Sequence, residues 1–221
     1  METEKPVPLG RPRSFDVDRA LDQALEVFWR KGYEGASLSD LTAAMGINRP
    51  SLYAAFGDKE ELFRRVLDRY FSGPASFIQE ALKETTARAA VEQLLRTAVE
   101  SQTKPGHPRG CLAVKAALAS GEESDPIRKE LIRRRSQGEL LLRHRLERAQ
   151  LEGELPKKVN VINLARFYST VLQGMAVQAA DGATRRELEP LIEIAMRAWP
   201  ETSQNSRKSG RRRSGGQRRS G

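Results

Sequence analysis

The sequence predicts an all-α protein of about nine helices in total. Apolar residues recur at spacings of three and four along nearly the whole chain, as on one face of a helix. Almost no stretch shows the alternation of a strand, and glycine and proline residues divide the chain into helix-length segments. With 221 residues and 38% hydrophobic residues, the chain is long enough to bury a substantial core.

The helices can be placed from these spacings. The first is predicted over residues 16–31, because its apolar residues share one face and Gly32 can end it in the left-handed conformation. Three more follow at about 38–45, 48–56 and 58–72. After a break at 72–74, helices are predicted at about 74–84, 88–102, 111–120, 125–152, 160–180 and 184–199. Residues 104–110 hold two prolines and two glycines and are predicted to be a connector.

Charge alone does not locate a binding surface. The formal net charge is +9, but residues 201–221 contribute seven basic and one acidic side chain, and residues 1–60 are slightly acidic. From Ser203 onward no apolar residue occurs, which predicts a disordered basic tail. This tail is compatible either with salt-sensitive DNA affinity or with a solubilising end of no defined role.

Composition also excludes several function classes. A single cysteine and two histidines make a catalytic or metal site unexpected, and no phosphate loop or nucleophile triad is recognisable. We therefore expect no enzyme activity, no cofactor and no metal. The chain has neither a secretory signal nor an apolar run long enough for a membrane span, so we expect a cytoplasmic protein without membrane contact.

Residues 36–63 carry the most specific signal. Ser37 with Asp40 three positions later approximates a capping box that opens a short helix. Gly46 permits a turn with positive φ, and Asn48 can cap the next helix. Two short helices around a glycine-containing turn are typical of a helix-turn-helix DNA-binding motif.

The second helix of this motif can be divided into two faces. Leu52 and Phe56 share the face that packs on the core. The outward residues are predicted to enter the major groove, and small side chains there allow close approach. They are Arg49, Pro50, Ser51, Tyr53 and Ala54. Arg49 is either a guanine reader or a phosphate anchor, and Tyr53 is placed to reach a phosphate.

Further DNA contacts are predicted on both sides of this helix. Lys59 lies at the start of the fourth helix, whose free amides can bind a phosphate. Ser37 begins the second helix, which precedes the recognition helix. Arg11 and Arg13 on the N-terminal arm can reach the neighbouring DNA backbone.

Residues 15–65 resemble the TetR/AcrR family of bacterial repressors. The family pattern is matched by Gly46, Ile47, Asn48, Leu52, Tyr53, Phe56, Lys59 and Leu62, with Ala20, Phe28, Gly32, Tyr33 and Ser37 upstream. The family usually has Thr at position 37 and often an aromatic residue or His at 54 or 55, so the operator sequence is not predicted. The resemblance implies a repressor that binds double-stranded operator DNA as a dimer and is released by a small-molecule inducer.

Four regions are predicted on this basis. They are a flexible N-terminal arm (1–14), a three-helix DNA-binding domain (15–60), a helical ligand-binding and dimerisation domain (61–200) and the disordered basic tail (201–221). The last two helices, about 160–180 and 184–199, carry the apolar and small residues expected for a homodimer interface, although the same face could pack internally. The sequence does not distinguish a repressor from an activator.

The inducer site is the least specified feature. The resemblance implies a cavity between the connector and the fourth, seventh and eighth helices, and Gln102, Tyr168 and Gln173 are polar candidates for its wall. Cys111, in the first turn of its helix beside Arg109, is added because such a position favours the thiolate. The alternative hypothesis for the function is therefore a redox or electrophile sensor that acts through Cys111. Cys111 could instead be a buried thiol that serves only to pack the core.

Overall fold

The computed structural model describes residues 15–118 and 125–201, and these residues form helices without any strand. Nine of the helices have seven or more residues, and α5 is a short additional one. Their bounds are α1 Val17–Gly35, α2 Leu38–Met45, α3 Arg49–Phe56, α4 Lys59–Ser72, α5 Phe77–Ala81, α6 Ala87–Thr103, α7 Leu112–Leu118, α8 Asp125–Leu151, α9 Val161–Ala180 and α10 Arg185–Arg197. The all-α prediction is confirmed.

Two helices differ from the predicted bounds for local reasons. Gly32 does adopt a positive φ of 73°, but the chain resumes helical geometry and α1 ends at Gly35. Helix α5 is shorter than predicted, and its N-cap Ser76 makes no side-chain capping bond. Thr86 then takes an extended conformation and caps α6 by accepting from the Ala89 amide.

The buried apolar side chains form two clusters. The first joins α1–α4 to α7 and the beginning of α8, and its largest members include Phe28, Phe56 and Phe63. The second joins α5, α6, the C-terminal half of α8, α9 and α10 around Tyr168. Helix α4 therefore belongs to the first cluster, while the predicted domain boundary at residues 60 and 61 falls in its first turn.

The long helices tie these clusters together. Helix α8 is 27 residues long, and its ends pack in different clusters. Arg69 of α4 binds Asp22 of α1 through its Nε atom at 2.8 Å, which fixes α4 against the first helix.

No helix in the described ranges is both long and apolar enough to cross a bilayer. The predicted arm with Arg11 and Arg13, and nearly all of the predicted basic tail, lie outside the described residues.

Candidate DNA-binding surface and ligand cavity

The turn between α2 and α3 is built from local hydrogen bonds. Ser37 Oγ accepts from the Asp40 amide at 3.0 Å, and Asp40 Oδ2 accepts from the Ser37 amide at 3.1 Å, which completes a capping box. Hydrogen bonds from Lys31 and Ser37 lower the pKa of Asp40 to about 2. Gly46 has a φ of 66° in the turn, and Asn48 Oδ1 caps α3 by accepting from the Ser51 amide at 2.9 Å.

Helix α3 is held by one face and presents the other. Leu52 and Phe56 are fully buried, and Ala55 lies beside them. Ser51 is half-buried, and the remaining outward residues are exposed: Arg49, Pro50, Tyr53 and Ala54. Because only the inward face of α3 packs against the core, the outward face can contact a partner without disturbing that packing.

Arg49 has a partner that the sequence did not indicate. Its Nη2 atom donates to Ser39 Oγ at 3.3 Å, so the exposed first residue of α3 is steadied by the second residue of α2. The two lie ten positions apart, and only the angle between the helices brings them together. Ser39 is therefore an additional residue of the candidate DNA-binding surface.

Lys59 is positioned by an aromatic ring. Its ammonium lies 4.5 Å from the centroid of Tyr33, a cation–π distance. Partial burial lowers the pKa of Lys59 and raises that of Tyr33. Asp58 caps α4 by accepting from the Glu61 amide at 2.8 Å, so one of the free amides of this helix end is already used.

A cavity of about 200 Å³ lies at the seam between the two core clusters. Tyr70 and Phe71 of α4 form one wall, and α8 and α9 face them. Helix α6 and the α5 segment also contribute, so more helices line the cavity than the resemblance implied. Its position gives a bound molecule contact with both clusters at once.

Three of the four predicted ligand residues meet at this cavity, namely Gln102, Cys111 and Gln173. The Tyr70 hydroxyl donates to Cys111 Sγ at 3.4 Å, and burial together with the thiol raises the pKa of Tyr70 well above its usual value. Tyr168 does not line the cavity. It is fully buried in the second cluster, and its hydroxyl donates to the Ala195 carbonyl at 3.3 Å, so its role there is packing.

The connector before α7 joins three parts of the molecule. The Trp29 indole donates to the Gly110 carbonyl at 3.2 Å, which links α1 to the residue before Cys111. Arg109 donates through Nε to the Ala179 carbonyl at 2.9 Å, near the end of α9. A Cβ on Gly110 would lie 2.7 Å from the Ala176 carbonyl oxygen, so only glycine fits against α9.

Helices α9 and α10 expose an apolar surface. Phe167, Leu191 and Ile194 are between 40 and 59% exposed. Gly174 and Ala198 are also exposed and small enough to allow close approach of another helix. We call this surface the α9–α10 face.

No group of three or more His, Cys, Asp or Glu side chains in residues 15–118 and 125–201 is arranged to hold a metal ion.

Comparison with known families gives two matches on this chain. Residues 20–66 match the family described as bacterial regulatory proteins, tetR family. Residues 87–191 match the tetracyclin repressor-like C-terminal domain. The first match covers α2, α3 and most of α1 and α4, and the second covers α6 to α9 and the first half of α10.

Individual proteins are similar over most of the chain. The HTH-type transcriptional repressor ComR of Escherichia coli (strain K12) is 36% identical over 87% of this chain and 92% of its own length. A cysteine variant of the TetR family transcriptional regulator CifR, solved with a 26-base-pair double-strand operator DNA, is 46% identical with a TM-score of 0.83. That match covers 86% of this chain and all of the CifR chain. A putative TetR regulator from Rhodococcus sp. RHA1 is 42% identical over 84% of this chain, with a TM-score of 0.57.

Proposed function

Because this chain belongs to the TetR family of bacterial regulatory proteins, we propose that it is a repressor that binds a palindromic operator as a homodimer and is released by a small organic molecule. It is a helix-turn-helix DNA-binding regulator of transcription and not an enzyme. The operator complex of a CifR variant, 46% identical to this chain, supports operator binding through the same fold.

The observation that carries this proposal is the outward face of α3. Its inward residues are fully buried, while Arg49, Pro50 and Ala54 are exposed. A solvated surface helix normally carries long charged side chains, whereas small residues allow the backbone to approach base edges. We assign base contacts to Arg49, Pro50, Ser51 and Ala54.

Phosphate contacts are assigned to residues that flank this face. Tyr53 is 48% exposed, and its hydroxyl can donate to a phosphate oxygen. Lys59 is a cation at the N-terminal end of α4, where the helix dipole adds positive potential. Ser37 begins α2, and Arg11 and Arg13 precede the described residues.

The α9–α10 face supports the dimer. Two copies packed through this face would form a four-helix bundle about a two-fold axis, so each subunit would present one α3. Recognition helices about 34–36 Å apart, or a multiple of that spacing, then match successive major grooves of one duplex. A palindromic operator follows from this symmetry.

The position of the cavity supports release by a ligand. Tyr70 and Phe71 of α4 line it, and the other end of α4 carries Lys59. Gly110, the residue before Cys111, also accepts a hydrogen bond from Trp29 in α1. A ligand that prefers one arrangement of these walls therefore favours one spacing of the two α3 helices, and couplings between such sites are typically about 1–3 kcal/mol.

Thiol chemistry at Cys111 is not favoured as the trigger. Its sulfur accepts a hydrogen bond from Tyr70 and is half-buried in the cavity wall. The sequence has one cysteine, so a disulfide with a second thiol of the same chain cannot form. We assign Cys111 to the cavity wall together with Gln102 and Gln173.

Selection of bound fragments from a genomic DNA pool tests the proposed function. We expect the full-length protein to enrich one palindromic site and to bind it as a dimer. Enrichment without symmetry, or binding as a monomer with equal affinity, would contradict the dimeric repressor. The genes beside the site would also indicate whether the protein represses or activates.

A further inference from the structure

The cavity wall contains a side-chain amide oxygen that lacks a hydrogen-bond partner in the described part of the chain. Gln102 is only 5% exposed, and its Oε1 atom has no partner among the described residues. Its backbone carbonyl is already used, since it accepts from the Gly110 amide at 3.0 Å. Burying an amide oxygen without a donor is unfavourable, so this group is suited to a ligand that brings one.

The same cavity contains an arginine without a carboxylate partner in the described part of the chain. Among the described residues, Arg135 hydrogen-bonds to the Ala113 carbonyl, through Nη1 at 2.9 Å. The adjacent Arg134 also lines the cavity, but it is paired with Glu130 at 2.7 Å and with Asp68 at 2.5 Å. Burial lowers the pKa of the Arg135 guanidinium, a cost that an anion beside it would offset.

Both residues line the cavity and are held to the same short stretch of chain. The backbone carbonyl of Gln102 accepts from the Gly110 amide, and the Arg135 guanidinium donates to the Ala113 carbonyl, so residues 110–113 anchor both. The carboxylate on the cavity wall, Glu139, is already paired with Arg166 at 3.3 Å. The rest of the wall is largely apolar and includes Phe71, Phe77, Ile78, Leu94, Leu142 and Leu172.

We propose that the cavity binds a small carboxylic acid that carries a hydroxyl next to its carboxylate and has a short apolar body. The carboxylate pairs with Arg135, and the hydroxyl donates to Gln102 Oε1. The volume of about 200 Å³ fits a molecule of roughly ten non-hydrogen atoms, not a long acyl chain. This inference rests on the proposed function, because it names the ligand class of the same cavity.

A series of four probes with one apolar body tests the ligand class. Mandelate has both polar groups, phenylacetate only the carboxylate, 1-phenylethanol only the hydroxyl, and ethylbenzene neither. Titration calorimetry on the full-length protein should show mandelate binding about tenfold tighter than phenylacetate, and phenylacetate tighter than both neutral probes. Neutral probes that bind as tightly as the acids, or no binding of either acid at millimolar concentration, would overturn the proposal.

Two variants assign the groups. Arg135→Gln should weaken binding of both acids about tenfold or more and leave binding of 1-phenylethanol unchanged. Gln102→Leu should remove the advantage of mandelate over phenylacetate. Arg148→Gln is the matched control, since this exposed arginine lies on the same helix and does not line the cavity. Thermal unfolding reports whether each variant folds, and the wild-type series decides the ligand class without them.

Operator binding separates this inference from the function on which it rests. Fluorescence anisotropy with the selected DNA fragment is measured on the same wild-type sample. Tight operator binding without acid binding contradicts the proposed ligand class but not the proposed repressor function. If the wild-type protein does not bind the operator fragment, the proposed repressor function is contradicted. Acid binding that also releases the operator supports both.

Discussion

The Trp29 indole of α1 donates a 3.2 Å hydrogen bond to the backbone carbonyl of Gly110, the residue before Cys111. This bond crosses from the helix-turn-helix region to the connector beside the cavity. On the other side, Gly110 lies so close to Ala176 of α9 that no side chain fits. One residue thus contacts both the DNA-binding part and a helix of the proposed dimer interface.

Substituting this glycine should be costly. In Gly110→Ala the new Cβ meets the Ala176 carbonyl oxygen, and the φ of 76° is strained for alanine. We expect a loss of about 3 kcal/mol in the free energy of unfolding. Gly106→Ala is the control, because Gly106 has a φ of 79° in the same connector with open space around it. Urea unfolding of both variants should show the larger loss at Gly110, and equal losses would exclude the close approach as the cause.

Arg49 should determine one base pair in each half-site. We expect Arg49→Ala to weaken the selected operator by about 1–3 kcal/mol per half-site and to relax the preference at that position. Competition among single-base variants of the operator measures this. A loss of the same size for every DNA sequence would make Arg49 a phosphate anchor instead. Arg88→Ala, an exposed arginine on α6, controls for the loss of a charge.

The dimer should depend on the α9–α10 face. Ile194 is 59% exposed in the single chain, so Ile194→Glu costs the monomer little but places a charge in the proposed interface. We expect this variant to sediment as a monomer and to lose operator affinity. Ile132→Glu, at an apolar position of α8 that is 42% exposed, should remain dimeric. A dimeric Ile194→Glu protein would place the interface elsewhere.

The ion pairs that Glu130 forms on α8 should fail in acid. Glu130 is buried and binds Arg133 and Arg134, and these bonds lower its pKa from 4.5 to about 2. A carboxylate with a depressed pKa stabilises the fold above its unfolded-state pKa, so this contribution is lost as the pH falls from about 4.5 to 2.

The variant Glu130→Gln isolates this contribution. We expect it to be about 2 kcal/mol less stable than the wild type at neutral pH. Because the amide does not titrate, the difference between the two proteins should shrink as the pH falls through this range. Thermal unfolding between pH 6 and 3 checks the prediction, and a difference that does not change with pH would contradict it.

Local features were predictable from the sequence, and tertiary ones were not. The Ser37–Asp40 capping box, the turn at Gly46 and the Asn48 cap depend on residues within four positions of one another, and all are present. The inward face of α3 follows from helical spacing alone. By contrast, Trp29 and Gly110 are 81 positions apart, and no periodicity relates them.

The cavity shows the same division. A polar residue in an apolar helix marks either a binding site or a buried hydrogen bond, and the sequence does not distinguish them. Gln102 lies on the cavity wall, whereas Tyr168 is buried against Ala195. In the run Arg133 to Arg135 the sequence alone does not single out Arg135, which lines the cavity, from its two neighbours, which pair with Glu130.

The salt dependence of operator binding tests the docking of α3 most directly. Lys59→Ala should reduce the slope of log affinity against log salt by about two per dimer, because each half-site loses one phosphate contact. Tyr53→Ala should weaken binding without unfolding the protein. Lys157→Ala, an exposed lysine in the loop before α9, should change neither the slope nor the affinity. Unchanged slope and affinity in both Lys59→Ala and Tyr53→Ala would contradict the assigned DNA-binding face.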